Sequence, residues 1–321
     1  MAFSGKTRKI LVVFLIIGWS FVLIYPMLSS KFPKHPLKEG PLYRDNRLLM
    51  GTFWEVTSPN RQAAAIVFSE ASRIEQLLSK YIPTSEVAQL NRLGRLKVSP
   101  DTFYIIKKSQ EFSRLSQGAF DITVAPLVDL WGFTNKEFRI PDSARIQAVL
   151  RLVGNDKIIL HENDNVVEFR LQGTQIDLGG IAKGFALDCA VKKLKENNIN
   201  SCLINAGGQI FCLGDRSGQP WKIAIRSARK AEISGTLELK NQSASTSGDY
   251  QQYFLVKNKR YCHIIDPQTG YPAQTGISSV TVVADNGLEA DAFSTAVFVL
   301  GKQKAQNLAK KFENLKIIIT E

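Results

Sequence analysis

The chain has 321 residues, 44% of them apolar and 22% charged, and a net charge of +12. That length and balance exclude a disordered tail and a polytopic membrane protein, and leave room for one large domain or two modest ones. Three histidines (His35, His161 and His263) are too few for a multi-histidine metal cluster, and Cys189, Cys202, Cys212 and Cys262 form no C-x-x-C pair, which excludes a zinc ribbon. No internal repeat is visible. Setting aside Lys6, Arg8 and Lys9, 38 basic residues face 29 acidic ones, interspersed rather than gathered in a stripe. This pattern argues for a solvated surface and against a nucleic-acid module. Attraction to anionic lipid or to a phosphate-bearing ligand stays open.

Ile10 to Leu28 is nineteen residues without a charge. As a helix it would span about 28 Å, close to the hydrocarbon thickness of a bilayer. The three preceding cations favour a cytoplasmic start and an exported remainder. Ser29-Ser30 offers small residues for cleavage, but Pro26 interrupts the approach and the stretch is long for a signal peptide. The expectation is therefore an uncleaved signal anchor over residues 1–30. An extended linker carrying Pro33, Pro36 and Pro41 follows over 31–45, then one folded region over 46–321.

In that region, apolar residues at Val67, Ala71, Ile74 and Leu78 predict a helix from Arg61 to Lys80, with Asn60 as its N-cap. Phe103, Ile106 and Phe112 predict a second from Pro100 to Gln117, ended by Gly118. A third is expected over Lys183 to Asn197 and a late one over Gln303 to Phe312. Strand-like runs are Leu49 to Val56, Lys157 to Leu160, Val166 to Leu171, Ser201 to Leu213, Trp221 to Ile225, Thr236 to Leu239, Ser278 to Ala284 and Leu315 to Thr320. Strands with few intervening helices predict an α+β class, with layered antiparallel or mixed sheets and flanking helices, rather than a doubly wound sheet. With Ser201 to Leu213 read as one continuous strand, Cys202 and Cys212 lie roughly 33 Å apart, and no disulfide is expected without a bend at Gly207-Gly208.

Four stretches carry chemistry. In Ile176–Gly184 (IDLGGIAKG) a glycine pair precedes a helix start, where free N–H groups and Lys183 could meet an anion; a tight connection is the plainer alternative. Ser245–Tyr250 (STSGDY) leads to Tyr261–Pro272 (YCHIIDPQTGYP), a turn sequence that holds His263, a side chain able to move protons near neutral pH. In Glu289–Ala296 (EADAFSTA), Asp291 and Thr295 share one helical face with Ser294 beside them. That oxygen set suits a hard cation such as Mg²⁺, although an N-capping aspartate also explains it. In Gly118–Gly132 (GAFDITVAPLVDLWG), Asp121 is a carboxylate in an apolar stretch and needs a partner, which could be a helix start.

In order, these stretches together with MGTFWEV (Met50–Val56), LLSKYIPTSEVAQLN (Leu77–Asn91) and INAGGQI resemble the FAD:protein FMN transferase family, the ApbE-type flavin transferases, from about Met50 to Gly301. The resemblance implies a T-fold-like architecture and an enzyme that cleaves FAD with Mg²⁺, passes FMN to a threonine or serine hydroxyl of an acceptor protein and releases AMP. It implies FAD contacts at Met50, Tyr81, Ala119, Phe120, Asp121, Asp177, Lys183 and Ile265. It also implies a metal held by the Gly180 carbonyl, Asp291, Ser294 and Thr295, with His263 activating the acceptor hydroxyl. The expected partners are membrane-bound electron-transfer subunits, met by a catalytic domain at the inner membrane that faces the periplasm or cell exterior.

The chain departs from the family's pattern in three places, one being its stop at Glu321, soon after its last strand-like run, where many relatives continue. Relatives often carry Gly-Gly-Asp where it has Gly207-Gly208-Gln209, and some carry an acid where it has Ser294. Two alternatives use the same flavin pocket: an FAD pyrophosphatase, in which water replaces the acceptor, and a non-catalytic periplasmic flavin-binding protein. Asp291, Thr295 and His263 argue against the latter.

Overall fold

A computed structural model describes residues 41–229, 232–310, 312 and 314–321. The expected anchor over Ile10 to Leu28 and most of the linker lie outside the described residues. Among the described residues no helix is long and apolar enough to cross a membrane.

The chain opens with β1 (Tyr43–Leu49) and β2 (Thr52–Ser58), then α1 (Ala63–Leu78), α2 (Glu86–Leu93), β3 (Arg95–Lys97) and α3 (Pro100–Leu115). Next come α4 (Ala125–Leu130), α5 (Ser143–Leu150), β4 (Ile158–His161), β5 (Val166–Phe169) and α6 (Ala182–Glu196). The strands β6 (Cys202–Ala206), β7 (Gln209–Leu213), β8 (Trp221–Arg226), β9 (Ile233–Leu239), β10 (Gln242–Gly248), β11 (Tyr253–Val256), β12 (Lys259–Cys262) and β13 (Ser279–Ala284) follow. The described chain ends with α7 (Gly287–Ala309) and β14 (Lys316–Thr320). Among the described residues, Tyr43 to Asp45 of the stretch expected to be linker belong to β1.

Seven strands form one sheet in the order β1-β2-β6-β7-β10-β13-β14, flanked by a three-stranded sheet β3-β5-β4 and the hairpins β8-β9 and β11-β12. Every pairing is antiparallel. Side chains alternate across the sheet with period two. Cys202, Ile204 and Ala206 join Trp54, Val56, Val280 and Val282 under α1, α6 and α7. Leu203, Ile210, Cys212 and Val283 face the other way, against Trp221, Ile223 and Leu237 of the β8-β9 hairpin. A smaller core gathers Leu127, Trp131, Phe133, Ile146, Phe254 and Ile265. This is the expected α+β class.

Two runs read as single strands are hairpins. Leu49 pairs with Thr52 across Met50 and Gly51, both at positive φ (50° and 70°). Ala206 pairs with Gln209 across Gly207 and Gly208, at φ 64° and 98°. Two successive positive-φ residues make the tight turn whose twist matches the flanking strands. The second turn places Cys202 opposite Leu213 and Cys212 opposite Leu203, on neighbouring rungs. The two thiols point to opposite faces of the sheet, so nearness in the ladder does not bring them together, and all four cysteines are free. The predicted late helix is instead the end of α7, which breaks at Gly301 (φ 76°).

Candidate functional site

The crossing of α6 and α7 sets the centre of the site. A Cβ on Gly184 would sit 2.2 Å from the Gly287 carbonyl oxygen, and one on Gly287 would sit 2.4 Å from that of Gly184, so both positions exclude any larger residue. Asp188 of α6 accepts the Gly287 and Leu288 N–H groups at 2.6 and 2.9 Å, and Asn286 accepts that of Glu289 at 2.8 Å. The start of α7 is thereby capped from its own chain and from its neighbour. Burial raises the Asp188 carboxyl to about 6, against the pull of those two N–H groups.

One turn further on, Asp291 is 2% exposed. Its Oδ2 accepts the Gly184 N–H at 3.0 Å, and its Oδ1 accepts the Gln209 side-chain amide. Burial pushes this carboxyl upward, opposed by the charge of Lys183 and by both hydrogen bonds. The Ser294 hydroxyl donates to the Asp291 carbonyl at 2.9 Å and lies 2.8 Å from Ser247 Oγ and 3.2 Å from Ser245 Oγ; Thr295 Oγ1 is 3.4 Å from Ser247. A Cβ on Gly180 would lie 3.3 Å from both Thr295 Oγ1 and Phe120 Cε2. The residues assigned to a metal by resemblance are therefore drawn together by α6, α7 and β10. The donors around Asp291 are oxygens, the chemistry a hard divalent cation requires. Gln209 is 6% exposed, and its carbonyl Oε1 has no hydrogen-bond partner, an omission that costs about 1–3 kcal/mol when nothing else satisfies the atom.

A second cluster fixes the glycine pair. Asp177 Oδ1 accepts the Gly179 N–H at 2.8 Å, while its Oδ2 lies 3.0 Å from Lys80 Nζ. Lys80 also reaches Thr134 Oγ1 at 2.9 Å and Asp129 Oδ1 at 3.3 Å, with only 8% of its side chain exposed. Burial alone would lower this ammonium, but Asp177 and Asp129 outweigh it and hold the group above its ordinary value. Asn91 holds Ile176 from both sides, donating to its carbonyl at 2.9 Å and accepting its N–H at 2.8 Å. Lys183 donates to the Gly179 carbonyl at 3.2 Å.

His263 is half-buried, and its Nδ1 lies 3.2 Å from the Gln252 carbonyl. That oxygen can only accept, so Nδ1 carries the proton and Nε2 is left as the acceptor of a neutral ring. Desolvation lowers the imidazole to about 4, and the charge of Lys183 pushes the same way against the Gln252 hydrogen bond and Asp177. Lys183 thus acts electrostatically on both His263 and Asp291.

The remaining candidates divide. Tyr81 is 65% exposed, with Lys80 Nζ 5.3 Å from its ring centroid, and offers an open aromatic face. Met50 lies in the β1-β2 turn, at the end of the sheet that carries Gly207 and Gln209. Ala119 and Phe120 are buried, Phe120 edge-on to Phe112. Asp121 turns inward: its Oδ1 accepts the Thr123 N–H at 2.8 Å and the Thr123 hydroxyl at 2.6 Å. Ile265 buries its side chain in the smaller core. An open concavity of about 750 Å³ lined by Asn60, Arg61, Asn198 and Asp215 lies at the opposite end of β6 and β7 and includes none of these residues. Sequence reasoning missed Lys80, although it stands beside Tyr81 in LLSKYIPTSE. It also missed Ser245 and Ser247 as neighbours of Ser294, although both stand in STSGDY.

Comparison with known proteins matches residues 50–319 to the ApbE family model. The chain belongs to the ApbE family. It is 32% identical over 289 residues to the FAD:protein FMN transferase of Klebsiella pneumoniae (strain 342), covering 88% of this chain and 90% of that relative. The crystal structure of the ApbE protein from Thermotoga maritima superposes with a TM-score of 0.81 at 31% identity, covering 87% of this chain and 94% of that one. The flavin transferase ApbE from Vibrio cholerae gives 0.77 at 26% identity, with the same coverage. The α+β fold with antiparallel sheets is that of these ApbE structures.

Proposed function

We propose that this chain transfers FMN from FAD to a threonine or serine hydroxyl of an acceptor protein and releases AMP. The observation that carries the reading is the ApbE match over residues 50–319, with a named FAD:protein FMN transferase aligned over 90% of its own length. The reaction exchanges one phosphoester for another, so the work of the protein is positioning and charge neutralisation.

Asp291, Ser294, Thr295 and the Gly180 carbonyl are the groups that would hold Mg²⁺. Bound there, the ion supplies positive charge to the diphosphate oxygens. The buried Asp291 carboxylate calls for such a counter-charge, because the charge of Lys183 and the Gly184 and Gln209 hydrogen bonds together offset its burial only in part. Lys183 and the N–H groups at the start of α6 favour an anion beside the glycine pair. Lys80, through Asp177, keeps that pair in place. Tyr81 and Met50 present apolar surface to the flavin, and Ala119, Phe120, Asp121 and Ile265 shape the floor from within. His263, neutral and protonated on Nδ1, accepts the acceptor hydroxyl's proton at Nε2, a contribution of roughly 10²–10⁴ in rate. Burial is the main cause of the depressed His263 value; an FAD diphosphate beside Lys183 would relieve the smaller contribution of that charge and so act to raise the imidazole.

The N-terminal stretch and its flanking cations support an anchored enzyme whose catalytic domain faces the periplasm or cell exterior, with membrane-bound electron-transfer subunits as acceptors. The test is to incubate the full chain with FAD, Mg²⁺ and membranes from cells lacking it, then resolve the proteins on a denaturing gel. A fluorescent band that survives denaturation is expected. Release of free FMN and AMP at a rate unaffected by the membranes would contradict transfer and indicate hydrolysis.

A further inference from the structure

We propose that the side-chain carbonyl of Gln209 is a further oxygen donor to the divalent cation beside Asp291, its amide turning away from Asp291 Oδ1 when the ion is present. The inference rests on the cation reading above and adds a residue to it. Gln209 opens β7, immediately after the Gly207-Gly208 turn, and is buried to 6% exposure. Its Nε2 donates to Asp291 Oδ1 and lies 3.2 Å from Ser245 Oγ, while Oε1, the other atom of the same planar amide, is buried without a partner. A glutamine kept only to pin Asp291 gains nothing from a stranded carbonyl.

The surroundings give that carbonyl a use. Among the described residues no group of three or more His, Cys, Asp or Glu side chains could hold a metal. A cation here has one carboxylate and must complete its shell with neutral oxygens. Ser294 and Thr295 already share their hydroxyls with Ser245 and Ser247. A cation and the Gln209 amide N–H compete for the same Asp291 oxygen, so binding the ion frees the amide. The Ser245 hydroxyl can accept from Nε2 or donate to Oε1, so it can serve the amide in either orientation.

The test is Mn²⁺ binding by the full chain without FAD, following the free-ion signal by electron paramagnetic resonance, with the thermal unfolding midpoint recorded for each protein. Parent protein should bind, and Asp291→Asn should not. Gln209→Leu, which keeps the volume and removes the donor, should raise Kd by about 10–100-fold. Gln209→Glu, which keeps an oxygen and adds charge, should lower Kd. If Gln209→Leu binds as tightly as the parent or tighter, Gln209 only pins Asp291 and the inference is overturned. Should Leu prevent folding, an unchanged or raised Kd in Gln209→Glu overturns it equally. Absence of binding by the parent, or full binding by Asp291→Asn, overturns the cation reading itself and this inference with it.

Discussion

Lys80 Nζ lies 3.0 Å from Asp177 Oδ2, joining the end of α1 to the loop that leads into α6. The same ammonium reaches Asp129 within α4 and Thr134 just after it, so one cation ties three separate segments of the chain. Because Asp177 also holds the Gly179 N–H, this pair sets the backbone of the glycine turn that enters the proposed metal site.

Replacing Lys80 with Met keeps the stem and leaves two carboxylates without their counter-charge. We expect a stability loss of about 1–3 kcal/mol, below that of a fully buried pair because Asp129 and Asp177 stay partly open to water, read from urea unfolding. Lys80→Arg should recover part of it. Equal stability in Met and parent would show that the pair does not tie these segments.

Gly184→Ala drives a methyl to within 2.2 Å of the Gly287 carbonyl, in backbone that cannot yield. The expected cost is about 1–3 kcal/mol, with α7 displaced and divalent-dependent AMP release reduced. Unchanged stability together with unchanged AMP release would place the helix crossing elsewhere.

His263 should titrate near 4 in the free protein, followed by its ring-proton NMR signal and assigned by loss in His263→Gln. Its folded value lies below the ordinary 6.5, so the unfolded chain binds more protons between the two. The contribution of this residue to stability is complete above about 6.5 and is lost as pH falls toward 4. FAD should move the midpoint upward. A free-protein midpoint at 6.5 or above would contradict a desolvated ring beside Lys183.

His263→Ala should retain FAD binding, measured by flavin fluorescence quenching, and lower the rate of FMN transfer by roughly 10²–10⁴. Transfer at the parent rate would remove His263 from the proton path.

Much of the site could be read from neighbouring residues. Asp291 and Thr295 are one helical turn apart, and the glycine pair announces the start of α6; both survive because they depend on local spacing. The Ser201 to Leu213 run reads as one strand because apolar residues crowd both of its halves while the turn between them is made by two glycines alone. In that case the Gly-Gly dipeptide outweighs the hydrophobic pattern. The helix beginning near Arg61 is correct in type, but Asn60 does not cap it with its side chain at the expected position: its Oδ1 accepts the Gln62 N–H, and the first helical residue is Ala63. Lys80 stayed hidden, and Gln209 was legible only as a departure from the family's Gly-Gly-Asp, because their partners, Asp177 and Asp291, arrive from distant parts of the chain through sheet and helix packing, which no local period records.

The most direct test is mass spectrometry of membrane proteins from cells making the parent chain, the Asp291→Ala variant, or neither. The account predicts FMN covalently attached to a threonine or serine of at least one protein in the first set and in neither of the others. Identical proteomes, with the purified chain converting FAD to free FMN and AMP, would contradict it.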